Sequence, residues 1–153
     1  MAIAFIGLGS NLGDRAANLT YALEQLAALP DTTLFRTSQW YETTPVGGPP
    51  QGLFLNGVSE IQTALAPETL LQHLQQIEQQ TGRPKEHERW GPRMIDLDLL
   101  SYENLLMETP MLTLPHPRMQ ERRFVLEPLA EIAPQWTHPK LGKTAQQLLA
   151  EAR

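Results

Sequence analysis

The sequence contains no cysteine. That absence excludes disulfides, thiolate nucleophiles, iron–sulfur clusters and cysteine-ligated zinc together, so any chemistry rests on other side chains. No run approaches the roughly 20 apolar residues that a bilayer-spanning helix requires. The apolar opening from Met1 to Gly7 is about one strand long, has no basic residue ahead of it and runs into the polar Gly9-Ser-Asn11, so it is not read as a signal peptide. Positive charge is also scarce: 12 Lys and Arg stand against 17 Asp and Glu, a net charge of -5. Such a balance argues against broad binding to nucleic acid or to an anionic membrane, and a soluble, cytoplasmic, monomeric chain with neither partner is expected. Familiar phosphate and metal motifs are missing as well. Gly7, Gly9 and Gly13 are wrongly spaced for a dinucleotide fingerprint, and neither a Walker loop nor a His-Glu-x-x-His helix occurs. Phosphate handling therefore falls to side chains and metal.

What is present suits a single domain spanning 1–153, with 41% hydrophobic and 19% charged residues. Ile3 to Leu8 reads as a buried strand, followed by glycine turns and Asp14 as a helix N-cap. Leu19, Leu23 and Leu26 make one helical stripe that closes before Pro30. Thr33 to Glu42, rich in threonine and aromatics, reads as a second strand. Thr43 to Gly52 holds three prolines and three glycines in ten residues, the composition of a long loop. Leu55 to Thr63 is a third strand, and Pro67 opens a helix with Leu70, Leu71, Leu74 and Ile77 on one face and Gly82 as its C-cap. Arg83 to Arg93 is loop-like, and Met94 to Tyr102 is a strand with strict alternation. Extended pieces around Met107 and at Leu112 to Leu114, a helix at Phe124 to Ile132 and a last helix capped by Thr144 complete the chain. Hairpin-type links join neighbouring strands, with helical crossovers only in places. The order predicts an α+β fold, a ferredoxin-like α/β sandwich with a mainly antiparallel sheet.

The segment Arg89-Trp-Gly-Pro-Arg-Met-Ile-Asp-Leu-Asp-Leu-Leu100 carries the most chemical information. On a strand Ile95, Leu97 and Leu99 share one face while Asp96 and Asp98 share the other, with Cα atoms roughly 7 Å apart. Paired carboxylates on one face suit Mg²⁺, which takes one or two protein oxygens and fills its other positions with water and substrate phosphate. An amphipathic strand solvating its outer face would show the same pair, but aspartate is depleted in strands. Cations also crowd here: residues 83–123 hold seven Lys and Arg and seven Asp and Glu, against five and ten elsewhere. Arg83, Lys85, Arg89 and Arg93 surround Trp90, and either internal salt bridges or a held polyphosphate would account for them. A second cluster joins His116, Arg118, Arg122 and Arg123 as an anion site, against a purely structural histidine. A third joins Thr43, Val46, Phe54 and Asn56, a set able to recognise a flat polar heterocycle unless Phe54 is simply core.

At these residues the sequence resembles the 6-hydroxymethyl-7,8-dihydropterin pyrophosphokinase family over essentially the whole chain. The match is carried by Gly9-Ser-Asn-Leu12, Phe54-Leu-Asn56, Gly82-Arg83, Arg89-Trp-Gly-Pro-Arg93 leading to Asp96-Leu-Asp98, and Pro115-His116 with Arg122 and Phe124. The resemblance implies transfer of the terminal diphosphate of ATP, as co-substrate, to the pterin hydroxymethyl oxygen, with attack at the β-phosphorus and release of AMP. Carried over to this chain, Asp96 and Asp98 would hold two Mg²⁺ ions and Arg83 and Arg93 would engage the transferring phosphates, with Lys85 as a further cation. Trp90 would sit in a loop closing over the substrates. His116 and Arg122 would contact ATP phosphates, and Gln75, Glu78, Leu99, Leu112 and Thr113 the adenosine. Thr43, Val46 through its backbone, and Asn56 would bond the pterin edge, with Phe54 and Phe124 sandwiching the ring and Asp96 also beside the pterin. The family often has tyrosine at Phe54 and arginine at Lys85, and one branch has tyrosine at Pro117. Phe54 keeps the stacking face without the hydroxyl, and Lys85 lacks arginine's planar fork.

Three other readings compete. An RNA-binding sandwich is opposed by the acidic balance and by aspartates on the sheet face. A glycosyltransferase Asp-x-Asp site has little room for an acceptor region in this length. A catalytically silent protein that binds ATP and pterin would be marked by a missing metal carboxylate, and both carboxylates are present.

Overall fold

An apolar run that alternates nowhere has to be buried on both faces, and Ala2–Ser10 is such a run. It forms β1, the inner strand of the main sheet in the computed structural model, which describes residues 1–43, 53–80 and 94–152. Asp14 caps the helix that follows, α1 (Arg15–Ala27), accepting from the Ala17 amide at 3.1 Å. Leu19, Ala22 and Leu26 form the buried stripe of α1.

The expected strand from Thr33 to Glu42 is two strands, β2 (Thr32–Thr37) and β3 (Tyr41–Thr43). Between them Ser38 takes over the bonding to β4 (Phe54–Thr63): its amide donates to the Val58 carbonyl at 2.9 Å and its Oγ accepts from the Val58 amide at 3.0 Å. Trp40 is thereby turned onto Gly57, the only residue type whose missing side chain admits the indole at that distance. Next comes α2 (Pro67–Gln80), with Leu70, Leu74 and Ile77 buried. The expected Gly82 cap lies outside the described residues. Strand β5 starts at Asp96 rather than Met94 and runs to Tyr102, followed by the small hairpin β6 (Met107–Glu108) and β7 (Thr113–Leu114). A 3₁₀ turn at Met119–Glu121 leads into α3 (Arg123–Ile132), and Thr144 caps α4 (Ala145–Glu151) with a full capping box involving Gln147.

The strand order is β2-β4-β1-β5, with β3 also paired to β4, and every pairing among the described residues is antiparallel. The helices nevertheless join parallel strands: α1 connects β1 to β2 and α2 connects β4 to β5, each stepping over one intervening strand. This split β-α-β arrangement is the ferredoxin-like α+β fold.

One face of the sheet is sealed by α1 and α2 over Ile6, Leu8, Ile61, Leu97 and Leu99. A bulge opposite Phe5 and Ile6 lets Leu100 turn to the other face, where it joins Phe5, Val58 and Met119 beneath α3 and α4. Those two helices cover only the Phe5 end of that face. Toward the Gly9 end the same face carries Asn56, Phe54, Asp96 and Asp98. No helix among the described residues is long and apolar enough to cross a membrane.

A Cβ on Gly57 would lie 2.5 Å from two ring carbons of Trp40. Gly57→Ala is therefore expected to destabilise the protein by about 1–3 kcal/mol through overpacking. Urea unfolding of the two proteins side by side checks this; equal midpoints would mean that Trp40 moves aside freely.

Candidate active site

Register decides which side chains meet at the end of the sheet that no described helix covers. In β1, Gly9 stands opposite Asn56 of β4 on one side and Asp96 of β5 on the other, and Gly7 stands opposite Val58 and Asp98. Directly opposed residues share a face, so Asn56, Asp96 and Asp98 project together across a floor of glycine. A Cβ on Gly9 would come 2.8 Å from Asn56 Oδ1 and 3.5 Å from the Phe54 ring. Phe54 is half-buried at the start of β4, opposite Thr43, and Asn56 Nδ2 donates to Thr43 Oγ1. Thr43, Phe54 and Asn56 thus form one contiguous unit, as their sequence pattern predicts.

The aspartates are held from beneath. Glu78 is buried on α2, and its Oε2 accepts from the Leu97 amide, between the two aspartates, at 2.8 Å. Leu97 therefore turns its amide away from β1 toward α2, which covers that stretch of the β5 edge. Glu78, one of the residues expected at the adenosine, also fixes the peptide that carries both carboxylates. Asp96 and Asp98 are themselves half-exposed on the open face. Among the described residues no group of three or more His, Asp or Glu is placed to hold a metal alone. Two carboxylates on one face above a side-chain-free floor fit a hard cation that takes its remaining oxygens from water and phosphate.

The third wall comes from the segment after β7. Leu114 and Pro115 are joined by a cis peptide, and the His116 amide donates to the Leu100 carbonyl at 2.8 Å, which docks this segment on β5. His116 is pushed down to about 4 by burial first and by the Arg122 charge next, with Asp96 pulling the other way and Arg118 adding to the depression. The imidazole is accordingly neutral at pH 7 in the ligand-free protein. The Arg122 guanidinium lies 5.6 Å from the ring centroid of Phe124, at the start of α3. Arg123 is instead paired with Glu127 at 2.6 Å and Arg118 lies within 4.0 Å of Glu121, and Arg122 is the arginine of this cluster whose charge weighs most on His116.

Asp98, Leu99, Leu112, Thr113 and His116 line one cleft of about 270 Å³. Sequence reasoning missed Leu71, Thr109, Pro110 and Met111 in the same wall. Thr109 closes the β6–β7 turn by exchanging bonds with Leu112, a signal available in its Thr-Pro pair. Gln75 is exposed on α2, one turn after Leu71 and one before Glu78, on the same row of the helix. Val46, Arg83, Lys85, Arg89, Trp90 and Arg93 lie outside the described residues. A larger cavity of about 370 Å³ opens at the opposite end of the sheet, between Phe5, Ile132 and Trp136, and includes none of the expected site residues.

The chain matches the family model for 7,8-dihydro-6-hydroxymethylpterin-pyrophosphokinase over residues 5–134. It is 46% identical over 148 residues to the 2-amino-4-hydroxy-6-hydroxymethyldihydropteridine pyrophosphokinase of Synechocystis sp., covering 97% of this chain and 75% of that protein. The protein of the same name from Bacillus subtilis is 50% identical over 133 residues, covering 87% of this chain and 79% of that one. Among solved structures, Plasmodium falciparum HPPK-DHPS superimposes with a TM-score of 0.75 at 17% identity over 99% of this chain. This chain spans 43% of that longer one, and at such identity the likeness shows the fold alone.

Two outcomes follow from the geometry. Gly9→Ala is expected to displace Asn56 and Phe54 and to destabilise the protein by about 1–3 kcal/mol through overpacking; urea unfolding checks it, and an unchanged midpoint would mean that the floor has room to spare. For His116 the depressed value means that the unfolded chain binds a proton first. Its contribution to stability is therefore complete above the ordinary histidine range near pH 6.5 and is lost as pH falls from there toward about 4. NMR titration of the metal-free protein should place its midpoint near 4, and a midpoint near 6.5 would show the burial to be wrong.

Proposed function

This chain belongs to the 7,8-dihydro-6-hydroxymethylpterin-pyrophosphokinase family, and we propose that the open face around Gly9 is where it carries out the family's reaction. The chain is an ATP-dependent pyrophosphokinase of folate biosynthesis. The observation that carries the site assignment is the register: Asn56 and the two aspartates stand abreast across Gly9 and Gly7.

In this reading 6-hydroxymethyl-7,8-dihydropterin lies against Phe54 with its polar edge on Asn56 and Thr43, and Phe124 closes the other side of the ring. Asn56 supplies both donor and acceptor groups, and its bond to Thr43 fixes which way the amide is turned. ATP occupies the cleft of Leu99, Leu112 and Thr113, its phosphates reaching His116, Arg122 and the aspartates. Val46 joins the pterin contacts, while Arg83, Lys85, Trp90 and Arg93 join the phosphate side, with Trp90 in a segment closing over the substrates.

Asp96 and Asp98 would hold two Mg²⁺ ions, which when bound neutralise charge on the transferring phosphates. The hydroxymethyl oxygen bonds to the β-phosphorus as that phosphorus loses its bond to the oxygen bridging the α-phosphate. AMP leaves, the hydroxyl proton is released, and the pterin keeps the diphosphate. Little covalent help is needed from protein, since alignment and charge stabilisation carry this class of reaction, in keeping with a site free of cysteine. Neutral His116 can approach the phosphates as a hydrogen-bond donor and take up a proton as their charge arrives. We place the protein in the cytoplasm as a monomer, and its net charge of -5 speaks against nucleic-acid or anionic-membrane partners.

Incubation with ATP, Mg²⁺ and the pterin should yield pterin-dependent AMP, resolved by chromatography against a control lacking pterin. Asp96→Asn should lose at least about a hundredfold in kcat while keeping its melting temperature, because a half-exposed carboxylate adds little to the core. ADP as product would overturn diphosphoryl transfer, and wild-type turnover by the variant would remove Asp96 from the mechanism.

A further inference from the structure

Strand β3 is only Tyr41–Thr43, three residues paired to Phe54, Leu55 and Asn56, yet it delivers Thr43 to the Asn56 amide. A ladder that short does not fix a threonine hydroxyl by itself. The strand is instead gripped by side chains. From α1, Arg15 donates to Glu42 at 2.8 Å and to the Leu53 carbonyl at 2.9 Å, joining the end of β3 to the residue preceding β4. From α3, Glu131 takes the other end. Its carboxylate accepts from the Gln39 amide at 3.0 and 3.2 Å and from the Tyr41 hydroxyl at 2.6 Å.

Gln39 belongs to the break where the β2 ladder stops, so the Glu131 carboxylate substitutes for the strand partner its amide lacks. Tyr41 stands directly opposite Asn56 on the same face. Its hydroxyl is held protonated, its titration raised to about 12 chiefly by the bond to Glu131, then by burial, with the Glu131 and Glu127 charges adding. Phe124 and Glu131 are seven residues apart on α3, two turns along one row, which spans about 10 Å. The helix that presents Phe124 at one end therefore holds β3 at the other.

We propose that Glu131, with Tyr41, is a positioning residue for substrate recognition: it sets β3 so that Thr43 orients the Asn56 amide toward the pterin edge. It touches neither substrate nor the aspartates and acts through Gln39 and Tyr41. This inference rests on the pterin assignment of Asn56 and deepens it, locating part of the specificity for that ring in a carboxylate outside the site. Its signature is selective. The adenosine cleft is built from β5, β7 and α2, which Glu131 does not contact, so loss of the carboxylate separates the two substrates.

The test measures dissociation constants for 6-hydroxymethyl-7,8-dihydropterin, with and without a non-hydrolysable ATP analogue, and for the analogue alone. Glu131→Gln keeps size and loses one charged acceptor; Tyr41→Phe keeps the ring and loses the donor, so at least one of them should fold normally. Each is expected to weaken pterin binding by about tenfold, leave the ATP analogue within about twofold and raise the pterin KM with kcat nearly unchanged. The double variant should fall well short of the product of the two single effects, because both variants weaken the Glu131–Tyr41 bond. Glu151→Gln, on α4 and paired with Lys143, is the control and should change neither substrate. Unchanged pterin binding in both variants, equal weakening of both substrates, or multiplicative effects in the double variant would overturn the inference. Failure of the wild type to bind pterin would remove the pterin assignment and this inference with it, whereas tight wild-type binding indifferent to Glu131 would remove the inference alone.

Discussion

The antiparallel register of β1 between β4 and β5 is the constraint on which the site depends. Side chains on a strand alternate, so a slip of one residue would turn Asp96 and Asp98 into the core and Leu97 and Leu99 onto the open face. That alternative is closed by the cost of burying two carboxylates and exposing two leucines. The same register sets Gly9 between Asn56 and Asp96, where only a residue without a side chain fits, since a Cβ would come 2.8 Å from Asn56 Oδ1. Core packing and site geometry are thus consequences of one alignment.

Uneven covering of the sheet follows from the same pattern. One face presents aliphatic side chains along its length and is sealed by α1 and α2. The other is apolar only around Phe5, Val58 and Leu100, where α3 and α4 pack. Beyond them glycine, asparagine and aspartate offer no apolar area for a helix to bury, and no described helix packs on that end of the sheet. The surrounding cations then act on half-buried neighbours at short range. Burial and Arg122 hold His116 neutral against Asp96, and the carboxylate of Glu78 fixes the Leu97 peptide under the aspartates.

Much of this was legible before the fold was known. The alternation through Ile95 to Leu99 places the carboxylates together on any strand, Asp14 and Thr144 announce their helices by cap chemistry, and proline marks the start of α2. Local rules suffice there because the deciding interactions lie within a few residues. The split of Thr33 to Glu42 into β2 and β3 escaped them, since it depends on Ser38 meeting Val58 and Trp40 meeting Gly57, both distant in sequence. Leu71, Thr109, Pro110 and Met111 were missed for a similar reason: a cleft wall drawn from α2, β5 and the β6–β7 turn has no periodicity of its own.

The amino-acid sequence by itself determined the paired aspartates, the absence of thiol chemistry, the α+β class and the motif order that marks the family, because composition, period and cap residues are properties of the chain alone. Tertiary structure decided that Gly9 stands between Asn56 and Asp96, that Glu78 supports the peptide between the aspartates, and that Glu131 reaches β3 from a helix about ninety residues away in sequence. Those roles arise from packing distant segments against one another, where a carboxylate takes its meaning from the backbone amide it happens to meet.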